Sequence, residues 1–239
     1  MLSIIYNNKD SNKDYNLYLE EVPNFPVANA QYETIDIPGR DGSVNIFDKY
    51  PDLVIPIKFV FISGRDFLTR KNSITQWLNS KANFPLYYSE DKSMFYNVKK
   101  IALSDFTTEG NKIRRVAANF TIESYMYLNE GNEIREINSP TKIYNGRATH
   151  ISLPYLKIYG SGDINLNINN RVTQFKNISD FIEIDSKKPN CYKTINDIIT
   201  NSNDSMFSSI FPYLDPGENE ISWSGNLSKI EIIPRWCCR

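Results

Sequence analysis

The chain carries a single histidine, His150, and that count decides most of the nucleophilic and metal chemistry open to it. A Ser-His-Asp triad would have to use this one residue as its base, and metal sets built on two histidines are excluded. No Gly-x-Ser-x-Gly turn accompanies it, so His150 reads as a strand or loop residue. Asp163, Glu183 and Asp185 are the carboxylates that could converge for glycoside hydrolysis. Their places beside alternating β runs make them turn and solvent-face residues instead. Cys191, Cys237 and Cys238 form an odd set with no CxxC spacing, which argues against a disulfide framework and a structural zinc site. The adjacent pair could bridge only through distorted geometry, and it reads as inert. Phosphate-cradling glycine motifs are missing as well. No catalytic, cofactor-binding or metal residue is expected.

Composition points the same way. The 239 residues allow one large or two modest domains, and 41% hydrophobic with 23% charged residues is ordinary for a globular protein. Lysine and arginine number 27 against 28 acidic residues, a balance with no net drive toward nucleic acid or an anionic membrane. The opening Met1–Asp10 has no basic region followed by an apolar run, and no window approaches a membrane span. Folding in a cytosol is therefore expected. Aromatic residues reach 13%. Tyr15, Tyr18, Tyr87, Tyr88, Tyr125, Tyr127 and Tyr159 could build a sugar-stacking surface or a subunit interface, although tyrosine on strands is also plain β propensity.

The elements behind these residues are mostly strands. Runs at 2–6 and 17–19 flank a polar turn, and Pro23 and Pro26 break the chain into a linker. Strand-like Tyr32–Ile37 precedes Pro38-Gly39-Arg40-Asp41-Gly42, in which two turn signals sit almost back to back around Arg40. This stretch reads as the shaped tip of a hairpin or extended arm. From Val54 to Ile62, Ile55, Ile57, Phe59 and Phe61 share one face, and Pro56 favours an edge or a bulge. Ser63 and Asp66 match a capping box for a helix at about 64–79, with Phe67, Ile74, Trp77 and Leu78 inward and Arg70, Lys71 and Gln76 toward solvent. Strands resume at Pro85–Tyr88, Met94–Leu103 and around Val116–Ile122. The polar stretch after Tyr127 sets a domain boundary at 132/133, with β signals returning near Ala148. Beyond it, Leu156 and Ile158 lead to an expected turn at Gly160–Asp163, and a helical turn is possible at Ile195–Ile199. Short strands at Phe181–Asp185, Glu220–Trp223 and Lys229–Ile233 have the spacing of a sandwich.

Ile37-Pro38-Gly39-Arg40-Asp41-Gly42 resembles the signature of the phage distal tail proteins, the Dit proteins of long-tailed phages and related prophage tail components. Phe211-Pro212-Tyr213-Leu214-Asp215-Pro216-Gly217-Glu218-Asn219-Glu220-Ile221 resembles the closing pattern of the same family, with Pro216, Gly217 and Asn219 as its turn motif. Together they extend the likeness over nearly the whole chain. The resemblance implies a mainly β protein: an N-terminal ring or belt domain, 1–132, with one helix, and a C-terminal galectin-like antiparallel β-sandwich, 133–239. It implies a structural role without catalysis. A ring, hexameric in the family, would join the tail tube to tail-tip, tail-associated lysin or baseplate proteins at the distal end of the virion tail, after synthesis in the bacterial host cytoplasm.

Ring closure requires a heterologous interface, and exposed strand edges with a projecting hairpin provide one. Pro38, Gly39, Arg40, Asp41 and Gly42 are the expected contact, since an Arg fork pairs with carboxylates and turn glycines allow close approach. The alternative is a β-sandwich adhesin binding host cell-surface carbohydrate. Relatives with inserted carbohydrate-binding modules carry a longer C-terminal domain than this one. A small glycan-cleaving enzyme is a third class.

Overall fold

The computed structural model describes residues 2–79 and 84–239. The chain divides into two compact units, one running to Met126 and the other Tyr127–Cys238, with Arg239 counted in the first. The sequence reading sets the division six residues later, in the polar run that becomes a short 3-10 turn at Asn129–Asn132.

The first unit contains β1 (Ile4–Tyr6), β2 (Lys9–Asp10), α1 (Ser11–Tyr15), β3 (Tyr18–Leu19), β4 (Gln31–Asp36), β5 (Ser43–Lys49), β6 (Leu53–Ile62), α2 (Phe67–Leu78), β7 (Pro85–Tyr88), β8 (Asp91–Leu103), β9 (Thr107–Glu109) and β10 (Ile113–Leu128). Its main sheet runs β2-β1-β7-β8-β10-β6-β3, with β9 also on β10. The alternation in β6 places Ile55, Ile57, Phe59 and Phe61 in the core. Phe120, Ala118 and Val116 of β10 stand opposite the first three, so matched apolar pairs line one face of the sheet. Pro56 lies where β6 has no second neighbour, because β3 reaches only Phe59 and Val60. That edge position spares the ladder a missing donor.

Helix α2 closes this core with Ile74, Trp77 and Leu78. Trp77 Nε1 donates to the Tyr6 carbonyl over 3.0 Å, and its ring stacks on Tyr15 at 4.5 Å. Two expectations about the helix change. It begins at Phe67 with Asp66 in the cap position, and the Asp66 carboxylate accepts from the Ser63 hydroxyl and the Gly64 amide. Ser63 lies four residues ahead of the first helical residue, its amide donating to the Lys112 carbonyl at the sheet end and its hydroxyl to Asp66, so its side chain caps no helix amide. Arg70 is not a solvent residue either. Its guanidinium donates to the carbonyls of Ile62 and Tyr15 and lies over the Phe61 ring. The carbonyls at the end of α1 need a donor, and a cation suits a helix C-terminus. α1 itself falls inside the expected polar turn, where Asp10 accepts from the amides of Asn12 and Lys13 and Asn16 ends the helix in the left-handed region.

The second unit contains β11 (Arg135–Ile137), β12 (Thr141–Asn145), β13 (Tyr155–Ile168), β14 (Arg171–Ile178), β15 (Phe181–Asp185), β16 (Asn190–Ile195), β17 (Ile198–Asn201), β18 (Gly217–Ile233) and β19 (Cys237–Cys238). Regular strands thus return at Arg135, ahead of the expected Ala148. β13 and β18 run side by side as the spine of one antiparallel sheet. Through Tyr155–Tyr159, β13 also pairs with β15; from Gly162 onward it pairs with β14. The change of partner falls at register shifts between Tyr159 and Ile164, so the sheet curls there and buries Leu156, Ile158, Ile164, Leu166, Ile168, Ile182, Ile184, Ile230 and Ile232.

The expected turn at Gly160–Asp163 is therefore a bulge inside a continuous strand. A Cβ at Gly160 would collide with the Asn226 carbonyl across the sheet, which explains the glycine without a chain reversal. The expected helical turn at Ile195–Ile199 is a hairpin between β16 and β17, turning at Asn196 and Asp197 with φ of 47° and 63°. Among the described residues, no helix is long and apolar enough to cross a membrane.

Candidate assembly site

β4 and β5 pair only with each other. Their register sets Asp36 against Ser43, Ile35 against Val44, Glu33 against Ile46 and Tyr32 against Phe47. One face of this arm presents Ile35, Val44 and Ile46; the other carries Tyr32 and Phe47, edge to face at 6.1 Å, and a Thr34–Asn45 side-chain hydrogen bond. Nearly every residue of both strands is exposed, with Ile46 at 49% and Phe47 at 51%. A two-stranded ribbon without a covered face is marginal in water, and its outer backbone groups form open edges.

At the tip, the Arg40 amide donates to the Ile37 carbonyl over 3.1 Å. Gly39 has φ of 82°, which makes Ile37-Pro38-Gly39-Arg40 a type II turn: Pro38 fixes the first corner and the second demands positive φ. Gly42 also has positive φ, and Arg40 and Asp41 are exposed. Neither of their side chains is assigned an interaction with a described residue. The proposed contact residues thus converge on one loop at the end of an unsupported hairpin.

The other motif has a different job. Asn219 is fully buried. Its side-chain oxygen accepts from the Asp215 amide and from Asn169 Nδ2, and its amide donates to the Asp215 carbonyl. Gly217 opens β18 with φ of 87°, while Pro216 is exposed in the turn before it. Asp215 accepts from Asn169 and from Arg171. Burial would raise its carboxyl pKa, but these two partners outweigh it and hold it below the usual range. Pro216, Gly217 and Asn219 therefore shape an internal support.

The remaining candidates are accounted for locally. His150 forms a bridge with Cys237, its amide donating to the Cys237 carbonyl. Asp163 is exposed and accepts from the Asn177 amide. Glu183 and Asp185 are buried, contrary to the solvent-face reading. Glu183 lies 3.2 Å from Lys157 and accepts from the Thr194 hydroxyl, while Asp185 takes a 2.5 Å bond from Arg235. A cation beside each carboxylate is what makes burial tolerable. Burial pushes the Cys191 thiol up to about 12, and Cys237 and Cys238 are buried and form no disulfide. Tyr15 is committed to Trp77, Tyr87 packs near Phe95, Tyr88 near Phe25, and Tyr159 near Phe181. Tyr18 lies in β3, Tyr125 is half-buried in β10, and Tyr127 sits beneath Lys187. No group of three His, Cys, Asp or Glu among the described residues is placed to hold a metal ion.

Comparison with known families supplies the decisive observation. The model of the phage tail protein RIFT-related domain matches residues 6–123, a stretch that includes the arm and the α2-capped sheet. Residues 6–123 belong to that phage tail family. The match bears out the phage-tail resemblance read from the Pro38–Gly42 motif. A search of curated proteins finds no match. Among solved structures, the fold is similar to that of the SPP1 Dit protein, described as a paradigm of the hub adsorption apparatus of phages infecting Gram-positive hosts. The TM-score is 0.69 at 13% identity, covering 97% of this chain and 98% of that one. Chains of the phage P2 baseplate in its activated conformation with calcium and of the phage p2 baseplate with strontium also match. They give TM-scores of 0.53 and 0.52 at 14% and 15% identity, with 97% of this chain and 97% and 96% of theirs covered. The mainly β tail-protein fold thus extends beyond the RIFT-related segment.

Proposed function

We propose that this protein is a distal tail hub: a non-catalytic component that closes into a ring, a hexamer as the resemblance implies, and joins the tail tube to tail-tip, tail-associated lysin or baseplate proteins. The observation that carries the reading is the β4–β5 arm, which exposes Ile35 and Ile46 on one face, Tyr32 and Phe47 on the other, and two strand edges within a phage tail family domain. Such an arm gains stability by lying on a second copy, and repetition of that unlike contact around an axis closes a ring. Arg40 and Asp41 at the tip supply a charge pair for the neighbouring copy. The ring would sit at the distal end of the virion tail after synthesis in the host cytoplasm. The likeness to a hub adsorption protein and to baseplate chains supports this placement.

Native mass spectrometry over a concentration series, alone and with tail-tube and tail-tip partners added, tests the reading. A closed ring is expected. A strict monomer in the presence of both partners overturns it and directs attention to carbohydrate binding.

A further inference from the structure

The second unit has a groove of about 390 Å³ between the start of β14 and the irregular segment Phe207–Tyr213. That volume lies at the lower end of the range for ligand clefts. Ile168 and Thr173 contribute buried floor residues, while Val172, Phe207 and Ile210 are 52%, 57% and 67% exposed. Apolar exposure on that scale extends past a small solute and suits a macromolecular occupant.

The wall is rigidly built. Arg171 Nη2 donates to the Tyr213 carbonyl over 3.2 Å and to Asp215 over 2.8 Å, and the guanidinium lies 3.9 Å from the Tyr213 ring centroid. Behind it, Asp215 is fixed by Asn169 and its backbone by Asn219, so the closing turn motif sets the groove's shape. Arg171 Nε and Nη1 have no partner among the described residues. Lys176 lies 4.2 Å from the Phe207 ring centroid, and no lining residue is acidic. The edge of β14 is already closed at Gln174, whose carbonyl accepts from the Phe207 amide and whose amide donates to Ser208. An entering segment would therefore pack against side chains there instead of adding a strand.

We propose that this groove docks an extended segment of a second protein, in which an apolar residue fills the space beside Val172 and Ile210 and a neighbouring carboxylate meets the free donors of Arg171. The free N–H donors of Arg171, whose charge Asp215 balances, the Lys176 cation beside Phe207 and the exposed apolar rim select this occupant over a neutral sugar. The groove and the arm lie in different units, so this proposal is tested separately from ring closure.

Random heptapeptides displayed on yeast are selected against the full chain, and the best binder is labelled with fluorescein and titrated by anisotropy. Enriched peptides are expected to combine an acidic residue with apolar neighbours. Ile210→Asp and Val172→Asp, both at exposed positions, should each weaken binding by about tenfold or more, while Ile46→Asp in the arm leaves it unchanged. Replacing the peptide carboxylate by its amide should weaken binding several-fold. Failure to enrich, or enriched peptides that bind the groove variants as well as the parent, overturns the proposal. Binding of an immobilised neutral glycan that depends on Ile210, with no peptide selected, overturns it in favour of a saccharide site.

Discussion

Asn169 Nδ2 donates to the side-chain oxygen of Asn219 over 2.9 Å, joining a hairpin turn to the beginning of β18. The Asn169 oxygen in turn accepts from the Glu220 amide at 2.8 Å. The buried Asn219 amide and the half-buried Asn169 amide thus use both ends of their side chains to tie separate parts of the curled sheet together, and a local turn motif becomes a long-range constraint.

Replacing Asn219 by Leu should cost the second unit about 2–4 kcal/mol, because the Asp215 amide and the Asn169 side chain lose partners in a closed site. Denaturant unfolding followed through Trp223 and Trp236 reads this. A loss below about 0.5 kcal/mol would mean that water or a rearranged turn replaces the network.

Asp185 supplies a pH-dependent contribution. Burial raises its pKa, but the Arg235 bond and charge and the Lys187 amide prevail, leaving the carboxyl below its ordinary 3.8. Because the folded value is depressed, the stabilisation is complete above the ordinary value and disappears as pH falls through the folded one. Asp185→Asn should therefore be less stable than the parent at pH 7 by about 1–3 kcal/mol, with the gap narrowing below about pH 4. Unfolding midpoints across pH 2–8 check both the sign and the window. A gap that stays constant throughout rejects the carboxylate as its source.

Cys191 should resist alkylation in the folded protein. Burial pushes its thiol up to about 12, and its sulfur lies 3.6 Å from that of Met206. At pH 8 little thiolate forms and reagent access is poor. Intact-mass analysis after iodoacetamide, with peptide mapping, should find Cys191 unmodified until denaturant is added; rapid native labelling would show that the site opens.

The legible parts of the fold were those in which local pattern and tertiary environment agree. Ile55, Ile57, Phe59 and Phe61 alternate because one face of β6 is core, and the Pro38–Gly42 tip follows local turn chemistry. Ile195, Ile198 and Ile199 misled because their spacing also fits a helix face; Asn196 and Asp197 adopt the positive φ that makes a hairpin instead. Gly160 resembled turn punctuation, although the need for it comes from Asn226 on a distant strand. Burial of Glu183 and Asp185 was hidden for the same reason: Lys157 and Arg235, which neutralise them, are remote in sequence. The arm motif was visible, but its isolation depends on which strands leave it unpaired.

That isolation separates stability from assembly. Ile46 and Arg40 have no core role, since β4 and β5 cover nothing within the first unit's buried cluster. Ile46→Asp and Arg40→Glu should each leave monomer unfolding within about 0.5 kcal/mol of the parent. If the arm lies on a neighbouring copy, Ile46→Asp introduces a charge into an apolar contact and Arg40→Glu reverses the tip charge. Both should then shift the native mass distribution from ring to smaller species at the same protein concentration. A core substitution such as Phe59→Ala should instead lower stability by about 3–5 kcal/mol, providing a control for assembly lost through unfolding. An intact ring in Arg40→Glu would remove the tip from the contact, whereas an intact ring in both arm variants would remove the arm.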